Sequence, residues 1–214
     1  MVLAATGSYA TKVTAMGYED VEDDPVFKKG VNLWDNTISN AFSLMRLANG
    51  GVIRINECRR IGAKAPSSYI SAFYGTKGGY QFSNAQHIFT QNKGEGVTLE
   101  DVSDYVNPMA MTENKDLPDF KQRVANHEWQ WDSFAPIQDY KRLPKEYEDL
   151  KNGHMASHKF LIDDFCRAAY NHTLPTVNAW LAARFTIPGI VAFESGKKDG
   201  QPIDIPDCGE PPVE

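Results

Sequence analysis

The chain has 214 residues, 42% of them hydrophobic and 23% charged, with a formal charge of −6. That length supports a buried core without staples, and the negative balance argues against a nucleic-acid platform, because phosphate contacts demand a basic surface. The three cysteines (Cys58, Cys166, Cys208) lie far apart with no CxxC pair, so neither a disulfide framework nor a zinc site is indicated.

In chain order, Val2-Leu3 and then Ser8–Met16 read as strand, the latter alternating and rich in β-branched residues. Tyr18–Lys29 concentrates acids and two lysines around Pro25 and reads as a solvated loop. Thr37–Leu47 alternates, with Ser43, Met45 and Leu47 on one face and Phe42 and Leu44 on the other. Ala48-Asn49-Gly50-Gly51 supplies a hairpin turn, and Val52–Arg59 returns. After a Gly/Ala/Pro/Ser-rich loop, Tyr69–Tyr74 and Tyr80-Gln81-Phe82 flank another glycine turn. Spacings this short exclude helical crossovers, so the sheet is antiparallel. Gln86–Thr90 and Val97–Leu99 are further strand candidates, and Asn107–Asp139 reads as a long packed loop carrying Trp129, Trp131 and Phe134.

The last third is helical. One helix runs from a Ser157 cap to about Tyr170, with Leu161, Phe165, Ala168 and Ala169 as its apolar stripe. A second, capped by Asn178, covers Ala179–Ser195, with Trp180, Ala183, Ile187 and Val191 facing inward and Pro188 as a source of a kink. Gln201–Ile205 returns as an edge strand, where Pro202 is tolerated. Strands first and helices last give an α+β class, an open, mainly antiparallel β-sheet with helices packed on one face. One domain spanning 1–214 is expected.

The sequence contains no GxGxxG, GxxxxGK[ST], GxSxG or HExxH. Two polar clusters remain. Arg54–Arg60 ends the second strand of the central hairpin, where such groups either face solvent or line a polar pocket. Gly153–Lys159 gathers His154, Ser157, His158 and Lys159 at a helix start, where free N–H groups attract anions and hydroxyls. Ordinary capping explains that second cluster equally well, and a metal site on the histidine pair alone is weakly supported.

The ordered set NGGVIRINECRRIG, YGTKGGYQF and GHMASHKFLIDDFCRAAYNHTLPTVNAWLAARFTIPGIVAFESGKKDGQPIDIPD resembles the C-terminal domain of the Gfo/Idh/MocA oxidoreductases. These are NAD(P)-dependent dehydrogenases of sugars, inositols and related polyols. The resemblance runs from about Thr6 to Asp207. It implies a fold like the second domain of dihydrodipicolinate reductase or glyceraldehyde-3-phosphate dehydrogenase, with an open sheet face that pairs subunits into a homo-oligomer. It also implies hydride transfer in an intact enzyme that binds NAD or NADP through an N-terminal Rossmann domain. The family's catalytic Lys and His belong to that part and have no match here. Resemblance therefore points to a separated second domain, with no dinucleotide expected on this chain alone and no catalytic residue to carry over.

What carries over is substrate lining: Trp34, Asn36, Asn56, Glu57, Arg59, Arg60, His154 and His158 match positions that approach the family's active site. The implied partners are a small carbohydrate and the Rossmann domain, not nucleic acid or membrane. The reduced-looking cysteines and lack of a signal segment suggest a cytoplasmic protein. Two alternatives stand beside this reading. One is the corresponding domain of an NAD-dependent glycoside hydrolase. The other is a non-catalytic scaffold using the acidic run Glu19–Asp24 and the aromatic loop as partner surfaces.

Overall fold

A computed structural model describes residues 2–22, 25–60, 70–83, 86–92, 94, 96–103, 142–147 and 157–211. The elements in order are α1 (Val2–Thr6), β1 (Ala10–Glu19), β2 (Ile38–Leu47), β3 (Val52–Cys58) and β4 (Ser71–Tyr74). There follow β5 (Gly78–Ser83), β6 (Gln86–Asn92), β7 (Val97–Asp101), α2 (Ser157–Asn171), α3 (Ala179–Gly196) and β8 (Ile203–Asp204). The chain divides into two units, Met1–Gly62 with Thr176–Glu214, and Ala63–Pro175. The strands form two four-stranded antiparallel sheets, ordered β3-β2-β1-β8 and β4-β5-β6-β7. The successive hairpins thus build α+β architecture, but β3 and β4 belong to different sheets.

In the first unit, β2 pairs with β1 and β3 so that Met45 lies between Val13 and Ile53. These three join Leu3, Ala10, Leu47 and Ile205 in the core, and Phe185, Ile187, Val191 and Ala192 of α3 pack against it. The shift in register between Ala10 and Lys12 brings Ala10 to the same side as Val13 despite their odd spacing. Gly50 takes φ 84° in the β2–β3 turn, which a side chain would strain. The edge strand β8 pairs Ile203 and Asp204 with Val13 and Lys12.

Asn178 caps α3 by accepting the Leu181 N–H at 3.1 Å, and the helix runs through the buried Pro188 to Gly196. The chain start differs from the strand reading. Val2–Thr6 is a helical turn, because Ala4 and Ala5 favour helix and Thr6 Oγ1 donates to Leu3 O at 2.9 Å. It ends at Gly7, with φ 60°.

The second unit is a four-strand meander, with Gly75 N–H donating to Gly78 O at 2.8 Å across the first turn. Helix α2 spans the expected residues, and its buried face includes Ala168 of the expected stripe but not Leu161, Phe165 or Ala169. Lys159, Phe160, Asp163 and Ala168 are buried, while Leu161 and Phe165 are exposed. Asp163 is paired with Arg167 at 2.9 Å and Arg142 at 3.4 Å, and the Arg142 guanidinium lies 5.0 Å from the Phe160 ring centroid. A short 3-10 turn covers Lys145–Tyr147. Trp129, Trp131 and Phe134 lie outside the described residues. Among the described residues, no helix is long and apolar enough to cross a membrane.

Candidate functional site

One end of the first sheet gathers most of the polar residues singled out from sequence. There β1 ends, β2 begins and β3 ends, and the 20–37 loop joins the first two. The Asp20 N–H donates to Thr37 O at 2.7 Å, and Arg59 N–H to Ser39 O at 3.0 Å, closing this end. Asn40 then clamps the backbone of Arg60 from both sides. Its Oδ1 accepts the Arg60 N–H at 2.9 Å and its Nδ2 donates to Arg60 O at 3.1 Å. Arg60 Nε donates to Asp20 Oδ2 at 2.9 Å, and its guanidinium lies 5.5 Å from the Phe27 ring centroid. The Asp20 side chain is only 2% exposed. The Arg60 hydrogen bond holds its carboxyl below the usual range, against the opposing effect of desolvation.

Arg59 Nε makes a second pair with Glu57 Oε1 at 2.8 Å, here with both side chains in solvent. Trp34 and Asn36 sit in the loop leaving this end. Asn32 organises that loop, its Oδ1 accepting the Trp34 and Asn36 N–H groups at 3.2 and 2.8 Å. Asn36 Oδ1 accepts the Ile38 N–H at 2.9 Å, so this side chain starts β2. Trp34 is 78% exposed, an apolar ring held outward by a hydrogen-bonded loop. Asn56 is exposed on the open sheet face, in register with Phe42.

Two candidates remain. His158 lies on the first turn of α2 in the second unit and is exposed. His154 lies outside the described residues. Among the described residues, no group of three or more His, Cys, Asp or Glu side chains could hold a metal.

Sequence reading missed Asp20 and Asn40, the residues that fix Arg60. Asp20 stood inside an acidic run that looked uniformly solvated, and Asn40 inside a strand. It also missed a cluster in the second sheet. Tyr80 Oη lies 2.5 Å from Nδ1 of the buried His87, whose ring stacks on Phe82 at 4.5 Å. Burial pushes the His87 imidazole down and the Tyr80 hydroxyl up, with Asp101 pulling the histidine back slightly. Cross-strand pairing of Phe82 with His87 could have suggested this cluster only once the register was known.

The open face of the first sheet carries an apolar patch among polar residues. Met16 aligns with Phe42, and Thr14 with Leu44, which in turn pair with Asn56 and Arg54. Met16, Tyr18, Phe42, Leu44 and Val52 are all exposed.

The described strands make no Rossmann-type crevice. Every strand pairing among them is antiparallel. They therefore lack the crevice at the carboxyl ends of parallel strands where a helix N-terminus receives a pyrophosphate. The glycines at 75, 78 and 79 serve a hairpin instead.

No family model matches the sequence, and no curated protein does. Solved structures do match. An oxidoreductase domain protein from Kribbella flavida is 15% identical over 96% of this chain and 47% of its own, with a TM-score of 0.56. Levoglucosan dehydrogenase in complex with NADH and levoglucosan is 14% identical over 92% of this chain and 45% of its own, with a TM-score of 0.54. An oxidoreductase from Agrobacterium radiobacter, in complex with NAD+, L-tartaric acid and magnesium, is 12% identical over 92% and 43%, with a TM-score of 0.52. The chain spans less than half the length of these solved chains. This chain has the fold of the portion it matches in these oxidoreductases, 43–47% of each solved chain.

Proposed function

We propose that this chain is the substrate-binding and oligomerisation part of an NAD(P)-dependent oxidoreductase acting on a sugar, inositol or related polyol. The observation that carries the reading is the fold, shared over 92% or more of the chain with oxidoreductases. The polar end of the first sheet supports it. Arg59, Arg60, Glu57 and Asn56 offer donors and acceptors suited to hydroxyls, and an outward Trp34 offers an apolar ring face to a sugar ring. A site that hydrogen-bonds each hydroxyl discriminates strongly against analogues lacking one. The dinucleotide, which supplies hydride chemistry when bound, would be held by a separate Rossmann domain. This chain's residues would bind and orient the alcohol.

We further propose that the open face bearing Met16, Phe42 and Leu44 joins subunits, because an apolar patch of this kind on a sheet is otherwise left in water.

The test is a heteronuclear NMR titration of the chain with myo-inositol and a panel of hexoses. Binding should move the Trp34 indole and the amides of Asn56, Arg59 and Arg60. NADH fluorescence should stay unchanged when the chain is added. Micromolar NADH affinity would overturn the division of labour, and silence of those amides toward every polyol would overturn the substrate site.

A further inference from the structure

We infer that the end of the first sheet selects neutral, hydroxyl-bearing rings over anionic ones, because both of its arginines are already matched to carboxylates within the chain. This rests on the proposed substrate site and narrows its ligand class. An arginine pair beside a pocket ordinarily reads as an anion receptor, since the guanidinium fork fits carboxylate and phosphate. Here Arg60 Nε is held at 2.9 Å by an Asp20 side chain with 2% exposure, and Arg59 Nε at 2.8 Å by Glu57.

Among the described residues of the surrounding loop, and apart from the paired Asp20, the acids Glu19, Glu22 and Asp35 outnumber Lys28 and Lys29. A second carboxylate brought by a ligand would meet this excess of negative charge. Hydroxyls have no such conflict. Each both donates and accepts, so a guanidinium–carboxylate pair can donate to one hydroxyl and accept from its neighbour. Asp20 and Asn40 act here as positioning residues, fixing Arg60 through its Nε and its backbone.

The experiment compares rings that differ only in charge. The full chain is titrated by calorimetry at low ionic strength with D-glucose, D-galactose and myo-inositol, and with D-glucuronate and D-galacturonate. A neutral hexose should bind about tenfold more tightly than the uronate of the same ring, the weight of a modest like-charge repulsion. Glu57→Gln, at an exposed position, should shift that ratio toward the uronate by about fivefold, the effect of one unit charge at ~4 Å in water. Asp20→Asn should shift it in the same direction, with circular dichroism confirming that each variant is folded.

A uronate that binds the unaltered chain as well as its hexose overturns the inference while leaving the sugar site standing. An unchanged ratio in folded Glu57→Gln also overturns it. Failure of all five compounds to bind removes the substrate site itself.

Discussion

Ser195→Ala is the sharpest test of how the first unit is held together. Ser195 is completely buried. Its Oγ accepts the Ala15 N–H at 2.9 Å and donates to Gln201 O at 2.7 Å. Strand β8 pairs with β1 only at Lys12 and Val13, so the hydroxyl carries the hydrogen bonding of β1 past the point where β8 stops. Removing it strands one buried donor and weakens the tie of an acceptor, each costing about 1–3 kcal/mol, so roughly 3 kcal/mol in all. For a chain of 214 residues that corresponds to a fall in Tm of about 6–12 °C. Calorimetry reads the loss, and hydrogen exchange localises it, because the Ala15 amide should exchange faster than its neighbours on β1. A Tm within about 1 °C of the parent, with Ala15 protection intact, would refute the account.

Three further outcomes follow. Gly78→Ala would place a Cβ 2.5 Å from the carbonyl oxygen of Thr90, a backbone atom that cannot step aside, so the second sheet should lose about 1–3 kcal/mol in urea unfolding. The His87 pKa is lowered by burial, so the unfolded chain takes up its proton first as pH falls. Its contribution to stability is therefore complete above about pH 6.5 and declines below it toward the folded-state pKa; denaturation curves at falling pH should show this slope, and His87→Gln should flatten it. Leu44→Lys, in the middle of the open face, should shift sedimentation toward monomer without lowering Tm, and unchanged sedimentation of an oligomeric parent would remove that face as the interface.

The parts of the fold legible in the sequence were those fixed locally. Alternation put Ser43, Met45 and Leu47 on one face and Phe42 and Leu44 on the other, and the structure buries the first set and exposes the second. Asn178 marked the start of α3 because its short side chain satisfies an amide three residues on. Hidden from the sequence were the features that depend on distant partners. The inner face of α2 follows Asp163, whose burial is compensated by Arg142 and Arg167, and periodicity of apolar residues carries no trace of that pairing. The division of the strands into two sheets likewise depends on which edges meet, and hairpin spacing is silent on that.

The candidate site shows the same boundary from the functional side. Arg59 and Arg60 were visible as polar residues at a strand end, but their chemistry is set by what they touch. Without Asp20 and Glu57 they would form a cationic patch suited to phosphate or carboxylate. With those partners they form two matched pairs, one half-buried and one exposed. Fixing Arg60 between Asp20, Asn40 and Phe27 gives a guanidinium whose direction does not wander. A fixed direction suits the recognition of individual hydroxyls proposed for this end of the sheet.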